Sequence, residues 1–380
     1  MAAGTTSDRR DTFVAAHAAA DDWRTASAEC LAQLGQTKSR ANIGFLYVSD
    51  RLADNYGDIL EFLSARTGVK NWVGTVGIGV CATGTEYFDQ PAVTAMIGEL
   101  PDDGFALFDS SGEDLVEIIR SNRALLSRGD GTFGVVHLDP QNQEAFSLIP
   151  VFAEAANGFL VGALTSSRGR AVQAAGGVTG GGMSGVLMAG DIAVATGLTQ
   201  GCSPIGTPHE ITAAEGNVVI ELDGRPALEV FKQDIGELLA RDLRKVAGYI
   251  FAAVPVAGTD WGDYLVRNLT GIDEQQGLIA IADRVESGQS LMFCRRDREA
   301  AEKDLRRMLT NLKGRIDGRP RGALYHTCLA RGPNMFEGES AELGIIAEEL
   351  GDVPLVGFFG NGEISNNRLY AYTGVLTLFL

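Results

Sequence analysis

The sequence predicts an α+β fold with mixed or antiparallel sheets, covering helices and two halves built from repeated strand–helix–strand units. A short apolar strand, a helical stretch and a second strand with a Val-Gly or similar small pair occur three times, and such reuse indicates related sheets. Several other predicted strands adjoin one another across short turns, which is typical of antiparallel pairing. The length of 380 residues is too great for one small core.

The three copies of the repeat are similar in length and differ at their ends. Their segments are 43–49, 57–66 and 72–79; 133–139, 146–156 and 159–165; and 322–328, 339–350 and 354–364. Aligned on Val-Gly, the copies place Glu363 of the third opposite Val80 of the first. Only the third copy is expected to end on exposed polar groups, Asn361 and Glu363, and we expect function there.

The remaining elements follow from apolar spacing and turn residues. Helices are predicted at 11–34, 115–126, 229–246 and 297–312, and strands at 93–100, 104–109, 186–196, 217–222, 249–256 and 278–282. The glycine-dense stretch 176–190 lacks the spacing and lysine of a phosphate-binding loop, so we interpret it as a flexible or tightly turned loop.

Composition and charge argue against several classes of partner. Apolar residues make up 45% of the chain and charged residues 21%, as in ordinary globular proteins. A net charge of −17 disfavours nucleic acid and anionic membrane surfaces. The N-terminus has no apolar signal core, and the five cysteines include no CxxC pair. We therefore expect a soluble cytoplasmic protein with reduced thiols, no zinc site and no membrane segment.

Four histidines are the first candidates for chemistry: His17, His137, His209 and His326. Their spacing does not match a zinc-binding pattern. A haem needs one axial histidine, so any of them could serve, although a structural or surface role is more common for each. His326 and Cys328 are two apart on a predicted strand and share a face, as a thiol and its base would. The alternative is a half-buried pair without chemistry.

The end of the third repeat carries a second set of candidates. Gly360 and Gly362 keep the backbone bare around Asn361, and Glu363 could receive an ammonium or hydroxyl donor. Arg331 follows the first strand of this copy, where its guanidinium could hold a carboxylate at two points. The two charges would suit a zwitterion such as an amino acid. Alternatively, they pair with one another.

Four short runs give the chain a family resemblance. They are Gly-Cys-Ser-Pro-Ile-Gly at 201–206, Leu-Asp-Gly-Arg-Pro-Ala-Leu at 222–228, Cys-Leu-Ala-Arg-Gly at 328–332 and Gly-Glu-Ile at 362–364. In this order they resemble the FIST family of bacterial sensory domains over nearly the whole chain. The resemblance implies a FIST N-like domain (36–210) and a FIST C-like domain (211–380), which follow the N-terminal segment (1–35) that the apolar spacing predicts to be helical.

The resemblance also implies a function. Relatives of this kind are thought to bind small ligands such as amino acids and to signal to histidine kinases or cyclases. Because the chain leaves no room for an output domain, we expect a non-enzymatic sensor with a separate partner. The alternative from the family is a haem protein that senses nitric oxide. The residues expected to contact the ligand are Arg331, Phe358, Gly360, Asn361, Gly362, Glu363, Thr75 and Gly77. Thr75 stands where relatives commonly carry cysteine, so that contact would differ here.

Overall fold

The computed structural model describes residues 13–35, 40–111, 114–246, 248–256 and 263–380. The chain forms two compact units: unit 1 comprises Met1–Thr199, Leu305–Leu369 and Thr373–Leu380, and unit 2 comprises Gln200–Asp304 and Tyr370–Tyr372. Both units are discontinuous in sequence, whereas the predicted boundary at residue 210 follows chain order and stays a prediction. No helix in the described part of the chain is long and apolar enough to cross a bilayer.

The strands of the described residues are short and mostly buried. In chain order they are β1 (Val14–Ala19), β2 (Ile43–Ser49), β3 (Asn71–Gly77), β4 (Gly79–Ala82), β5 (Thr85–Phe88), β6 (Ala92–Gly98), β7 (Phe105–Asp109), β8 (Thr132–Leu138), β9 (Gly158–Leu164), β10 (Gln173–Ala175), β11 (Gly177–Thr179), β12 (Met183–Ala189), β13 (Val194–Gln200), β14 (Cys202–Glu215), β15 (Val218–Leu222), β16 (Arg225–Pro226), β17 (Ile250–Pro255), β18 (Tyr264–Asp273), β19 (Leu278–Ile281), β20 (Ser290–Arg296), β21 (Gly322–Cys328), β22 (Leu355–Gly360), β23 (Glu363–Asn366), β24 (Arg368–Tyr370) and β25 (Thr373–Phe379).

The α-helices lie between these strands. They are α1 (Trp23–Leu34), α2 (Tyr56–Thr67), α3 (Leu115–Ser121), α4 (Arg123–Leu126), α5 (Gln143–Ala155), α6 (Ala227–Ala240), α7 (Arg298–Arg315) and α8 (Ala341–Leu350). The three predicted repeats are β2–α2–β3, β8–α5–β9 and β21–α8–β22, and in each the two strands pair in parallel. The predicted α+β class with mixed sheets and covering helices is confirmed.

Unit 1 contains three six-stranded sheets with the same arrangement. Sheet 1 has the order β1-β6-β2-β3-β10-β11, sheet 2 the order β7-β12-β8-β9-β23-β24, and sheet 3 the order β13-β25-β21-β22-β4-β5. The parallel pair of one repeat is at the centre of each sheet. The strands that follow each repeat cross to another sheet: β4 and β5 join sheet 3, β10 and β11 join sheet 1, and β23 and β24 join sheet 2. Each sheet is therefore completed by a neighbouring repeat.

The glycine of each Val-Gly pair has a steric role. Gly74, Gly162 and Gly357 lie opposite Leu46, Val136 and Tyr325, which are the fourth residues of the predicted segments 43–49, 133–139 and 322–328. A Cβ added at any of the three glycines would overlap the carbonyl oxygen of that facing residue. Since no side chain fits there, glycine occurs at the same position in all three copies.

Alternate residues of the first strands separate two kinds of core. Phe45, Val135 and Leu324 belong to one apolar cluster shared by the three sheets. Leu46 and Val136 face the other way, into clusters that include residues of the covering helices. This alternation with burial on both faces explains why the strands read as continuous apolar runs.

The helix predicted over 11–34 is wrong in its first part. Residues 1–12 lie outside the described part of the chain. Val14–Ala19 forms β1, antiparallel to β6, and only Trp23–Leu34 is helical. The Asp22 carboxylate accepts hydrogen bonds from the backbone of Arg24 and Thr25 and so begins α1 there. Pairing with the sheet outweighs the high helix propensity of the alanines, because tertiary contacts override local preference.

Two other predicted elements are interrupted. The helix expected at 115–126 is divided at Asn122, whose φ of −101° and ψ of 13° are not helical. The helix expected at 229–246 ends with α6 at Ala240 and contains Gly236 at a φ of 79°. The strand expected at 186–196 is β12 and the start of β13, separated by a turn. Local apolar spacing alone did not indicate these breaks.

Unit 2 is built around a ring of antiparallel strands. β14 pairs with β20, and pairing continues through β17, β18 and β19 to β15, which pairs back to β14. Apolar residues of α6, including Val230 and Phe231, belong to the core of this unit with Phe293 of β20. The short β16 pairs with β15 at the motif Leu-Asp-Gly-Arg-Pro.

Candidate functional site

Three equivalent residues meet in the core of unit 1. Tyr47, His137 and His326 each follow the residue that faces the repeat glycine, and each comes from a different sheet. The Tyr47 hydroxyl lies 3.1 Å from His326 Nε2 and 3.3 Å from His137 Nε2. All three side chains are fully buried. We call Tyr47, His137 and His326 the axial cluster.

The axial cluster is enclosed by aromatic rings. The ring centroids of His137 and His326 are 6.0 Å apart, and Phe358 stacks on Tyr47 at 5.2 Å. Burial lowers the pKa of His326 to about 3. Burial, and then the neighbouring His326, hold the pKa of His137 well below its usual range. Both imidazoles are therefore neutral at pH 7.

The Tyr47 hydroxyl determines which ring nitrogens of the two neutral imidazoles carry a proton. The Tyr47 hydroxyl has one proton, so it donates to one Nε2 and accepts from the other. One imidazole then has a bare Nδ1 and the other carries its proton on Nδ1. Both Nδ1 atoms, on His137 and on His326, are buried and have no hydrogen-bond partner among the described residues. Such buried orphaned atoms are rare and call for an explanation.

The strands that follow the three repeats carry a second set of equivalent positions. Glu363 pairs with Ala163, and Val80 pairs with Phe358, so the alignment of Glu363 with Val80 matches the strand register. The third member is Gln173, which pairs with Thr75. The expectation that only the third copy ends on a polar group is therefore wrong. The longer connection after β9 hid Gln173 from a gap-free alignment.

Glu363 is buried, contrary to the exposed position expected from sequence. Its side chain has no solvent exposure because β23 places it on the sheet face that carries His137 and Ala163. Glu363 Oε2 accepts hydrogen bonds from the Thr373 hydroxyl at 2.8 Å and backbone nitrogen at 3.3 Å. Glu363 Oε1 has no partner in the described structure. Burial raises the pKa of this carboxyl to about 8.

Arg331 is bonded to a carboxylate that the sequence did not single out. Its Nε and Nη2 each lie 2.7 Å from Oε1 of Glu342, and both side chains are fully buried. Glu342 also accepts from the Tyr325 hydroxyl at 2.6 Å and the Gly332 backbone nitrogen at 3.0 Å. Arg331 does not pair with Glu363, and its Nη1 has no hydrogen-bond partner among the described residues.

The other predicted ligand contacts are mainly structural. Asn361 is exposed, and its backbone nitrogen donates to Leu164. Gly360 lies against Ala163 so closely that a Cβ would come within 2.5 Å of the alanine methyl. Gly362 has a φ of 129°, which favours glycine.

In the first repeat, Thr75 is buried and its hydroxyl bonds to Thr165 at 2.7 Å and to the Val172 carbonyl at 2.9 Å. Gly77 lies against Phe358, which approaches an added Cβ to 3.1 Å. Phe358 contacts the axial cluster. The structure therefore brings Glu363 and Phe358 to one region of sheets 2 and 3, leaves Arg331 with Glu342, and turns Asn361 outward.

The histidines fit an axial haem ligand poorly. Both ring nitrogens of His209 are bonded, Nδ1 to Asp223 at 2.6 Å and Nε2 to Asp234 at 2.9 Å. His137 and His326 are surrounded by rings where a porphyrin would have to lie. His17 is half-buried, with Nδ1 2.5 Å from the Tyr87 hydroxyl. No group of three or more metal-ligating side chains occurs among the described residues. Haem binding therefore remains only a prediction from the family.

The pair of His326 and Cys328 is also a poor thiol–base pair. Both side chains are buried on β21. An imidazole with a pKa near 3 is a weak base at neutral pH, and its Nε2 is already bonded to Tyr47. The geometry gives no support to a thiol-dependent reaction.

Two family models match the chain in succession. The FIST N domain matches residues 42–225, and the FIST C domain matches residues 227–366. Together they cover most of the chain. The chain belongs to the FIST family. These matches confirm the resemblance inferred from the four short runs. FIST domains are sensory domains.

Relatives match about half of the chain. An uncharacterized protein of Mycobacterium tuberculosis is 37% identical over 210 residues, which are 52% of this chain and 54% of the relative. An uncharacterized protein of Mycobacterium bovis is 37% identical over 192 residues, which are 48% of this chain and 50% of the relative. The chain thus spans about half the length of the relatives it matches.

The axial cluster and Glu363 together draw on residues of both FIST domains. Tyr47 and His137 lie within the FIST N match, and His326 and Glu363 lie within the FIST C match. Sequence reasoning found Glu363 and both histidines but missed Tyr47, Gln173 and Glu342. Tyr47 could have been found, because it occupies the fifth position of a first strand, as do His137 and His326. Glu342 lies in a helix and carries no such signal.

Proposed function

We propose that this FIST protein is a sensor that binds a small, amino-acid-like ligand at Glu363 in unit 1. The observation that carries the proposal is the Glu363 carboxyl, which is fully buried with one oxygen bonded and the other bare. A bare carboxyl oxygen inside a core is costly, and a donor from a ligand would satisfy it. Arg331 Nη1 is a bare donor of the same segment and suits a ligand oxygen.

Binding at a buried carboxyl implies a change of conformation. A ligand reaches Glu363 only when the residues that cover it open, and it remains bound when they close. The ligand therefore favours one of two states, which is the requirement for a signal. We propose that the closed state is read by a separate partner, a histidine kinase or a cyclase, and that the protein itself is not an enzyme.

Calorimetry with the twenty standard amino acids tests the binding proposal. We expect at least one of them to give saturable heat and to raise the melting temperature, as a ligand specific to the native state must. Glu363→Gln should abolish the ligand-linked shift in melting temperature. The matched control Glu61→Gln, exposed on α2, should retain it. Absence of heat with every amino acid, or a full shift in Glu363→Gln, would refute the proposal.

A further inference from the structure

Carboxyl groups outnumber basic groups near the end of the third repeat. Glu342 and Glu363 are fully buried, and Glu86 is partly buried with its Oε1 on the backbone nitrogen of Leu343 at 3.1 Å. Within the described residues, Arg331 is the basic group whose charge acts on both Glu86 and Glu363. Three carboxyl groups therefore share one guanidinium.

The guanidinium is already committed to one of these carboxylates. Two nitrogens of Arg331 lie 2.7 Å from Glu342, whereas no hydrogen bond joins Arg331 to Glu363. Burial, and for Glu86 the nearby Glu342, raise the pKa of Glu86 to about 7 and that of Glu363 to about 8. Both shifts come mainly from burial, and the attraction of Arg331 only partly offsets them.

A cation would complete the surroundings of Glu363. An ammonium group supplies one positive charge and three donors, and Glu363 Oε1 is an acceptor without a donor. His137 flanks Ala163 on the same sheet face as Glu363, where the equivalent central residues are the larger Thr75 and Phe358. Proton counting leaves one bare Nδ1 on either His137 or His326, which is a second acceptor. Once Glu363 has ionised to receive the ammonium, a ligand carboxylate would add a further negative charge to a region where three carboxyl groups share one guanidinium.

We propose that the group recognised at Glu363 is a primary ammonium, so that simple amines bind without a carboxylate. This inference rests on the proposed function and narrows its ligand class. Phe358 and Ala163 provide apolar surface for the carbon chain of such an amine, and both are fully buried. Arg331 then serves to hold Glu342 and is not the main determinant of ligand choice.

Three probes of similar size distinguish recognition of an ammonium from recognition of a carboxylate. Propylammonium has only the amine, propanoate has only the carboxylate, and β-alanine has both. In calorimetric titrations of the full chain at pH 7, we expect propylammonium and β-alanine to bind and propanoate to give no saturable heat. Glu363→Gln should weaken propylammonium binding by about tenfold or more, because a charge-assisted hydrogen bond is lost. Glu61→Gln should leave it unchanged.

Proton release gives a second readout that needs no variant. With a pKa of about 8, Glu363 is mostly protonated at pH 7 and must ionise to receive an ammonium. Each propylammonium bound should release about 0.9 proton at pH 7 and about 0.1 at pH 9. The dependence of the binding heat on the ionisation enthalpy of phosphate and Tris buffers measures this number. If Glu363→Gln does not fold, the selectivity among the three probes decides alone.

Two outcomes overturn the inference. They are binding of propanoate without binding of propylammonium, and unchanged amine binding in Glu363→Gln. If a standard amino acid binds at Glu363 while propylammonium does not, the inference fails and the sensor proposal stands. If neither binds, both fail.

Discussion

Glu342 organises the end of the third repeat through the donors that surround it. The Tyr325 hydroxyl, the Arg331 guanidinium and the Gly332 backbone nitrogen all donate to its carboxylate. The residues equivalent to Tyr325 in the other repeats are Leu46 and Val136, which pack in apolar clusters. The third repeat therefore has a network of polar side chains between its first strand and its helix.

The buried ion pair predicts a strongly non-additive effect on stability. Arg331→Met should lower the free energy of unfolding by about 3–5 kcal/mol, because it leaves the Glu342 charge buried and unpaired. The double variant Arg331→Met with Glu342→Leu should lose much less than the sum of the single changes. Urea unfolding at pH 7 measures all three. Additive losses, or a loss below about 1 kcal/mol for Arg331→Met, would contradict the buried pair.

At the scale of secondary-structure elements, the close packing of each parallel strand pair depends on its glycine. Gly357 faces Tyr325 in sheet 3, as Gly74 and Gly162 face their partners in sheets 1 and 2. The close approach lets β22 lie beside β21 and brings Phe358 next to His326 in register. The repeated motif is therefore a requirement of backbone packing, whereas the residue that follows the glycine differs in each copy (Thr75, Ala163 and Phe358).

A pair of glycine substitutions tests this packing role. Gly357→Ala should lower the free energy of unfolding by about 2–5 kcal/mol, since the new Cβ overlaps the Tyr325 carbonyl. Gly344→Ala is the matched control, because Gly344 lies in α8 with no atom within 4 Å of an added Cβ. It should raise stability by about 0.5–1 kcal/mol. Thermal and urea unfolding compare the two, and equal effects would argue against the packing role.

The exchange of strands between repeats ties unit 1 together at the scale of the molecule. β4 and β5, from the FIST N match, complete sheet 3, whose central strands β21 and β22 lie in the FIST C match. In return, β23 and β24 complete sheet 2. The two family domains are thus continuous in sequence but mutually dependent within unit 1.

Truncation should therefore disrupt folding of the FIST N part. We expect residues 1–226 expressed alone to lack a cooperative unfolding transition, because the strands β21, β22 and β25 of sheet 3 are missing and the apolar core shared by the three sheets loses the residues that they contribute. Circular dichroism melts and ¹H–¹⁵N spectra check this, with the full chain as control. A sharp melt with dispersed amide signals would show that the segment folds by itself.

Part of the candidate site followed from sequence and part did not. Glu363 was found because two glycines and a polar pair end the third copy. Its burial could not be found, since it depends on β23 pairing with β9, about 200 residues earlier in the chain. The sequence predicted a ligand carboxylate beside Arg331. Its actual partner, Glu342, was missed because it lies in a helix whose sequence has no polar motif.

The sequence by itself determined the repeated unit, the alternation of apolar residues and the family, because these depend on local spacing and short motifs. Only the tertiary structure decided which charges meet and which polar atoms are left bare. Tyr47, His137 and His326 are far apart in sequence, and they meet because three sheets pack their equivalent faces together. Local preference acts over a few residues, whereas the pairing of strands and the burial of charge depend on the whole chain.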